Sequence, residues 1–139
     1  MSWTNHMILG TKAILPMCHS KLGALFFIGK LYPRTVKLKL CNAIIMSRLL
    51  YGIQIWGHYA PTLSNSAQVV QNMAARWILG ADRKTKVTEL LQAIKWLSIH
   101  QLTLYHSLLS LWKIVRLREP SRLVEKLHPA QSSRRAADL

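Results

Sequence analysis

The chain has 139 residues, half of them hydrophobic, which suffices for one domain with a real core and excludes general disorder. Its 19 lysines and arginines stand against five acids, for a formal net charge of +14. A surplus of that size points to a polyanionic partner, nucleic acid first and an anionic membrane surface second.

In chain order, Thr4 or Asn5 caps a helical segment predicted from His6 to about Phe27. Pro16 lies inside it and lacks an amide donor, so a kink or a division into two short helices is expected. Ile8, Leu15, Leu22, Leu25 and Phe26 should face in, and Lys12 and Lys21 out. Gly29 to Tyr32 read as a turn. Pro33 then suits the first position of a helix that can run to about Trp56.

Within that helix, Leu40 to Gly57 carries one charge, Arg48, and is apolar on nearly every side. Such a stretch is either the buried centre of a helical domain or a membrane segment. Arg48 near its middle would cost roughly 2.5–3.5 kcal/mol on insertion scales, and Asn42, Gln54 and Gly52 weaken insertion further. The buried centre is therefore preferred, and insertion of residues 40–56 into a membrane is the alternative. At about 100° per residue Arg34, Lys37 and Arg48 share a narrow arc, predicting a solvent- or ligand-facing side. Gly52 falls there too and would let another backbone approach.

Gly57 to Pro61 break the helix, and Thr62 or Ser64 can cap the next, which ends at Gly80. In it Leu63, Ala67, Val70, Ala74 and Trp77 recur at helical spacing, opposite Asn65, Gln68, Asn72 and Arg76. Ala81 to Lys86 form a basic loop, and a short helix from about Val87 to Ile94 comes after it. Ser98-Ile99-His100-Gln101 has the form of a capping box. The helix it opens should bury Leu102, Tyr105, Leu108, Leu109, Trp112 and Val115, expose Thr103, Ser107, Ser110 and Lys113, and end near Leu117. A last short helix runs from Glu119-Pro120-Ser121 to about Leu127. No stretch alternates with period two for long. The expected fold is all-α, about five to six helices around a buried central helix, as one domain over residues 1–128 with a disordered tail over 129–139.

Catalytic constellations are missing. The five acids make no pair at helical spacing, whereas two-metal phosphoryl transfer needs clustered carboxylates. The six histidines form no HxxxH or HExxH pair, and no Gly-rich phosphate loop is present, so neither a metal nor another cofactor is expected. Cys18 and Cys41 lack a neighbouring Cys or His at ligand spacing. They read as free thiols of a reducing, intracellular setting, nuclear or cytoplasmic. The N-terminus lacks the pattern of a cleaved signal peptide.

Binding chemistry is present. Arg83, Lys84 and Lys86 could clamp a phosphate backbone, helped by Arg76 and by Arg34, Lys37 and Arg48 if the helices pack suitably. Lys113 and Arg116, with Arg118, Arg122 and Lys126, form a second basic segment. Contacts of this kind position a duplex without reading its sequence. The bland reading of each cluster is a solvated basic surface. For the five tryptophans (Trp3, Trp56, Trp77, Trp96 and Trp112) core packing is preferred to base stacking.

Several short motifs together resemble one family. Ser2-Trp3-Thr4-Asn5-His6-Met7 looks like the "sW..Hi" segment that comes after the palm in reverse transcriptases of non-LTR (LINE-type, jockey-like) retrotransposons. Leu50 to Trp56 resembles their "l.YG...W", and Gln71 to Gly80 their "Q...aR.i.g". Trp96 to Gln101 is similar to "gWlsi.qr", and Glu119 to Leu123 to the "P..L" after it. Two positions depart from the pattern: Lys95 stands where many relatives have glycine, and Pro16 interrupts a helix that is usually continuous.

The resemblance covers roughly residues 1–128 and corresponds to the end of the palm and the helical thumb. It implies a segment that holds the RNA/DNA template–primer duplex non-specifically, with the catalytic F/Y-A-D-D carboxylates lying upstream of this chain. It also implies a palm-containing polypeptide as partner, or self-association through the surface that would meet the palm. A decayed relic without a selected function is the remaining alternative.

Overall fold

The computed structural model describes residues 3–118 and 120–124; of the side chains, those before residue 13 and those of 30 and 122 are not described. Every regular element among the described residues is helical, so the all-α fold holds. The expected tail over 129–139 and the Lys126 position lie outside the described residues. The chain divides into two compact units, residues 1–106 and 107–139.

In the first unit, α1 (Trp3–Ile28) runs without a break through Pro16, where the sequence predicts a kink or two short helices. Its start at Trp3 precedes both candidate caps. Among its described side chains, Cys18 and Leu22 are fully buried. A 3₁₀ turn, Gly29–Leu31, comes next, and Pro33 precedes α2 (Arg34–Cys41).

From there the expected single helix to Trp56 does not form. A π turn over Asn42–Met46 leads into the short α3 (Ser47–Leu50), and the chain then breaks at Tyr51-Gly52 before α4 (Ile53–Tyr59). Gly52 adopts a left-handed conformation, φ 64°, which L side chains resist. The Trp56 indole Nε1–H donates to the Tyr51 carbonyl at 3.0 Å, pinning the break. These are the residues of the YG...W motif. The stretch still supplies core: Cys41, Ile45, Met46, Leu49, Ile53 and Trp56 are buried. Among the described residues no helix is long and apolar enough to cross a membrane.

Helix α5 (Pro61–Leu79) is the hub, packing against α1, α2, α4 and α6. Pro61 itself takes the first helical position, in place of a Thr62 or Ser64 cap. Leu63, Ala67, Val70 and Ala74 are buried as the spacing predicts, and Gly80 closes the helix in the left-handed region, φ 63°. Gln71 is fully buried too, which the amphipathic spacing does not predict. Its Nε2 donates to the Leu97 carbonyl at 2.8 Å, and its Oε1 accepts from Gln68 Nε2 at 2.8 Å. Gln68 Oε1 in turn accepts from the Ile99 amide at 2.8 Å. Two glutamines on α5 thus satisfy the backbone of the corner between α6 (Val87–Ile94) and α7 (Ile99–Leu117). The capping box forms as expected, with Gln101 accepting from the Ser98 amide and Ser98 Oγ accepting from the Gln101 amide.

The exposed and buried faces of α7 are the main correction. Thr103 is buried, its Oγ1 donating to the Ile99 carbonyl at 2.9 Å, because it enters the notch left by Gly57 on α4. A Cβ on Gly57 would lie 2.3 Å from Thr103 Oγ1. Tyr105, Leu108, Trp112 and Val115, expected inside, are instead exposed. The spacing of apolar residues on α7 points to another face, and the Gly57–Thr103 fit is what turns Thr103 inward. In the second unit, α7 ends at Leu117 as expected and α8 spans Ser121–Val124.

Candidate nucleic-acid interface

Three of the predicted cations meet. Lys37 from α2, Arg76 from the last turn of α5 and Arg83 from the loop after it line one groove of about 860 Å³. Phe26 from α1, with Met73, Trp77, Gly80 and Ala81, completes its wall. The α5 segment ends in a left-handed glycine whose amide, like that of Ala81, donates to the Arg76 carbonyl. The chain turns sharply there, which sets Arg83 beside Arg76 at the same opening.

The floor is aromatic. Phe26 and Trp77 lie 5.7 Å apart at a 39° tilt, and Lys37 Nζ stands 5.3 Å from the centre of a Trp77 ring. The benzo edge of Trp77 rests against Gly29, where an added Cβ would come 2.2 Å from Cζ2. Trp77 is half-buried, so it belongs partly to the core, as expected, and partly to this groove. Arg76 is half-buried as well, and its Nε is shielded from solvent without a hydrogen-bond partner. A desolvated donor with no acceptor is costly, and the packing around Arg76 bears that cost. Arg83's own amide is held by Asp82 Oδ1 at 2.6 Å, which shapes the loop.

The other predicted residues go elsewhere. Arg34 donates to the Ala93 carbonyl at 2.5 Å, acting as a cation at the C-terminal end of α6. Arg48 leaves the arc shared with Lys37, because the π turn inserts a residue and rotates the downstream positions by about 100°. It donates to the Ile44 carbonyl at 3.2 Å and lines a small crevice with Ile14, Leu15, Leu49, Trp56 and Leu63. It also lies near enough to Cys18 to oppose the upward push that burial gives that thiol. Lys84 and Lys86 are exposed on the loop that carries Arg83. Lys113 and Arg116 are exposed in the second unit, with the Arg116 guanidinium 5.8 Å from a Trp112 ring centre.

Among the described residues no group of three His, Cys, Asp or Glu side chains could hold a metal ion. No protein-family model, no curated protein and no solved structure matches the chain. The resemblance therefore rests on its motifs. Nothing in the sequence singles out Phe26, Met73 and Trp77 as binding residues; only the amphipathic pattern of α5, with Trp77 one turn before Gly80, hints at an apolar patch beside Arg76.

Proposed function

We propose that this chain is a non-catalytic, thumb-like module of the retrotransposon reverse-transcriptase type that grips the phosphate backbone of a nucleic-acid duplex. The observation that supports this reading is the convergence of Lys37, Arg76 and Arg83 from three segments on one groove, beside the exposed Lys84 and Lys86. The chain's net charge of +14 adds the long-range attraction. In this reading an intracellular, nuclear or cytoplasmic setting supplies the duplex, and a palm-bearing polypeptide supplies the chemistry. That polypeptide would cover the exposed apolar side chains of α7, among them Leu108, Trp112 and Val115. Without it the chain should self-associate, and sedimentation showing a monomer at all concentrations would remove this part of the reading.

Equilibrium binding to a fluorescent duplex across a salt series tests the main claim. Three phosphate contacts give a slope of log K against log salt of about −2.7, and engagement of Lys84 and Lys86 makes it steeper. Failure to bind any duplex at low salt would overturn the reading.

A further inference from the structure

The apolar half of the groove is unexplained by a phosphate grip. A duplex presents to such a grip only charged and polar groups, and three surface cations would serve it without an aromatic floor. Here Lys37, Arg76 and Arg83 surround Phe26, Met73 and Trp77, and the space between them is about 860 Å³, within the range of small-ligand sites. A volume of this kind suits a flat apolar body carrying an anion at one end. Charge complementarity requires the anion: all the ionisable residues lining the groove are basic.

We infer that the groove between α1, α2 and the end of α5 receives an unpaired nucleotide, its base against Phe26, Met73 and Trp77 and its phosphate between Arg76, Lys37 and Arg83. This inference rests on the proposed nucleic-acid function and narrows its substrate to a duplex that carries a single-stranded extension. Stacking and apolar contact tolerate any base, so the site discriminates paired from unpaired strands and ignores sequence. Lys37 Nζ, held over the Trp77 ring, already places a cation at the edge of the aromatic floor.

The test is fluorescence anisotropy with the full chain and two probes of equal phosphate number. One is a blunt duplex, and the other is a shorter duplex with a four-nucleotide single-stranded overhang. The overhang probe should bind about tenfold more tightly, the size expected from one stacked base. Trp77→Leu should erase that preference, read as equal affinity of the variant for the two probes. Should Trp77→Leu fail to fold, Met73→Gln, at a half-buried position on the groove wall, should reduce the preference several-fold.

Equal affinity for both probes would overturn the inference and leave the backbone grip standing. Absence of binding to either probe at low salt would overturn both. Tighter binding of an acidic, leucine- and tryptophan-containing peptide than of the overhang probe, with competition between them, would assign the groove to a protein partner and overturn the nucleotide.

Discussion

Gly29→Ala separates what local preference predicts from what this packing predicts. Gly29 is buried, and its backbone is not among the positive-φ positions, so alanine fits the chain path there. Reduced freedom of the unfolded chain should then stabilise the protein by about 0.4–1 kcal/mol. The new Cβ, however, would sit 2.2 Å from Trp77 Cζ2, 3.0 Å from Cη2 and 3.3 Å from Cε2. Relief requires the indole to move, and Phe26 and Lys37 flank it, which leaves the groove as the open direction. Overpacking of this kind costs about 1–3 kcal/mol, so the net change is a loss of roughly 1–2 kcal/mol. For a cooperative unit of this size that lowers Tm by roughly 5–10 °C. Urea unfolding followed by far-UV circular dichroism gives the equilibrium value. The same substitution on a Trp77→Leu background should be neutral or stabilising, a coupling of about 1 kcal/mol or more. Gly29→Ala that stabilises the parent, or that costs the same in both backgrounds, would refute the contact and the groove floor with it.

Gln71→Leu keeps the volume but strips the Leu97 carbonyl of its donor and Gln68 of one acceptor, so it should cost about 2–4 kcal/mol in the same unfolding measurement. A cost under about 0.5 kcal/mol would show that the corner does not depend on it. Lys95 holds φ at 58°, and Lys95→Gly should raise stability by up to about 1 kcal/mol, read as a higher urea midpoint at unchanged slope. Burial raises the Cys41 thiol from 9.0 to about 12. Below pH 9 the thiol is neutral in folded and unfolded chains alike, and its contribution is fully present. Above that the unfolded chain ionises first, so the contribution is lost as pH rises toward 12. Tm measured upward from about pH 8 should therefore fall, less steeply for Cys41→Ala, and identical slopes would contradict the burial.

Local chemistry decides some of this structure, and those parts are legible in the residues alone. The capping box at Ser98–Gln101, the left-handed glycine after α5 and the short helix ending at Ile94 are each set by neighbours within a turn. They appear where the spacing puts them. Two other features depend on partners far away in sequence. Thr103 is inside because Gly57 leaves a hole, and Gln71 is inside because Leu97 needs a donor. Neither has a periodic signature, since a threonine and a glutamine read as surface residues until their partners are known. The candidate site shows the same limit. Grouping Arg34, Lys37 and Arg48 assumes a uniform helix; the π turn takes Arg48 out of the group, and the Ala93 carbonyl takes Arg34. Lys37, Arg76 and Arg83 come together through the crossing of α2 over α5 and the turn at Gly80.

Residues that carry the resemblance fall largely on these joints. Gly52 and Trp56 fix the break between α3 and α4, Gln71 ties the middle of α5 to the Leu97 carbonyl, Gly80 ends α5, and Trp96 to Gln101 form the corner that Gln68 and Gln71 hold. The motifs thus specify how helices turn and lock, which is a statement about architecture. Lys95 makes the point most sharply. Its left-handed conformation is the one glycine favours, so the departure from the motif changes strain at the corner without requiring a different corner. Met73, Arg76, Trp77 and Gly80 of the motif line the groove, and Arg76 brings the charge, so it is the position where the scaffold and the proposed ligand are joined.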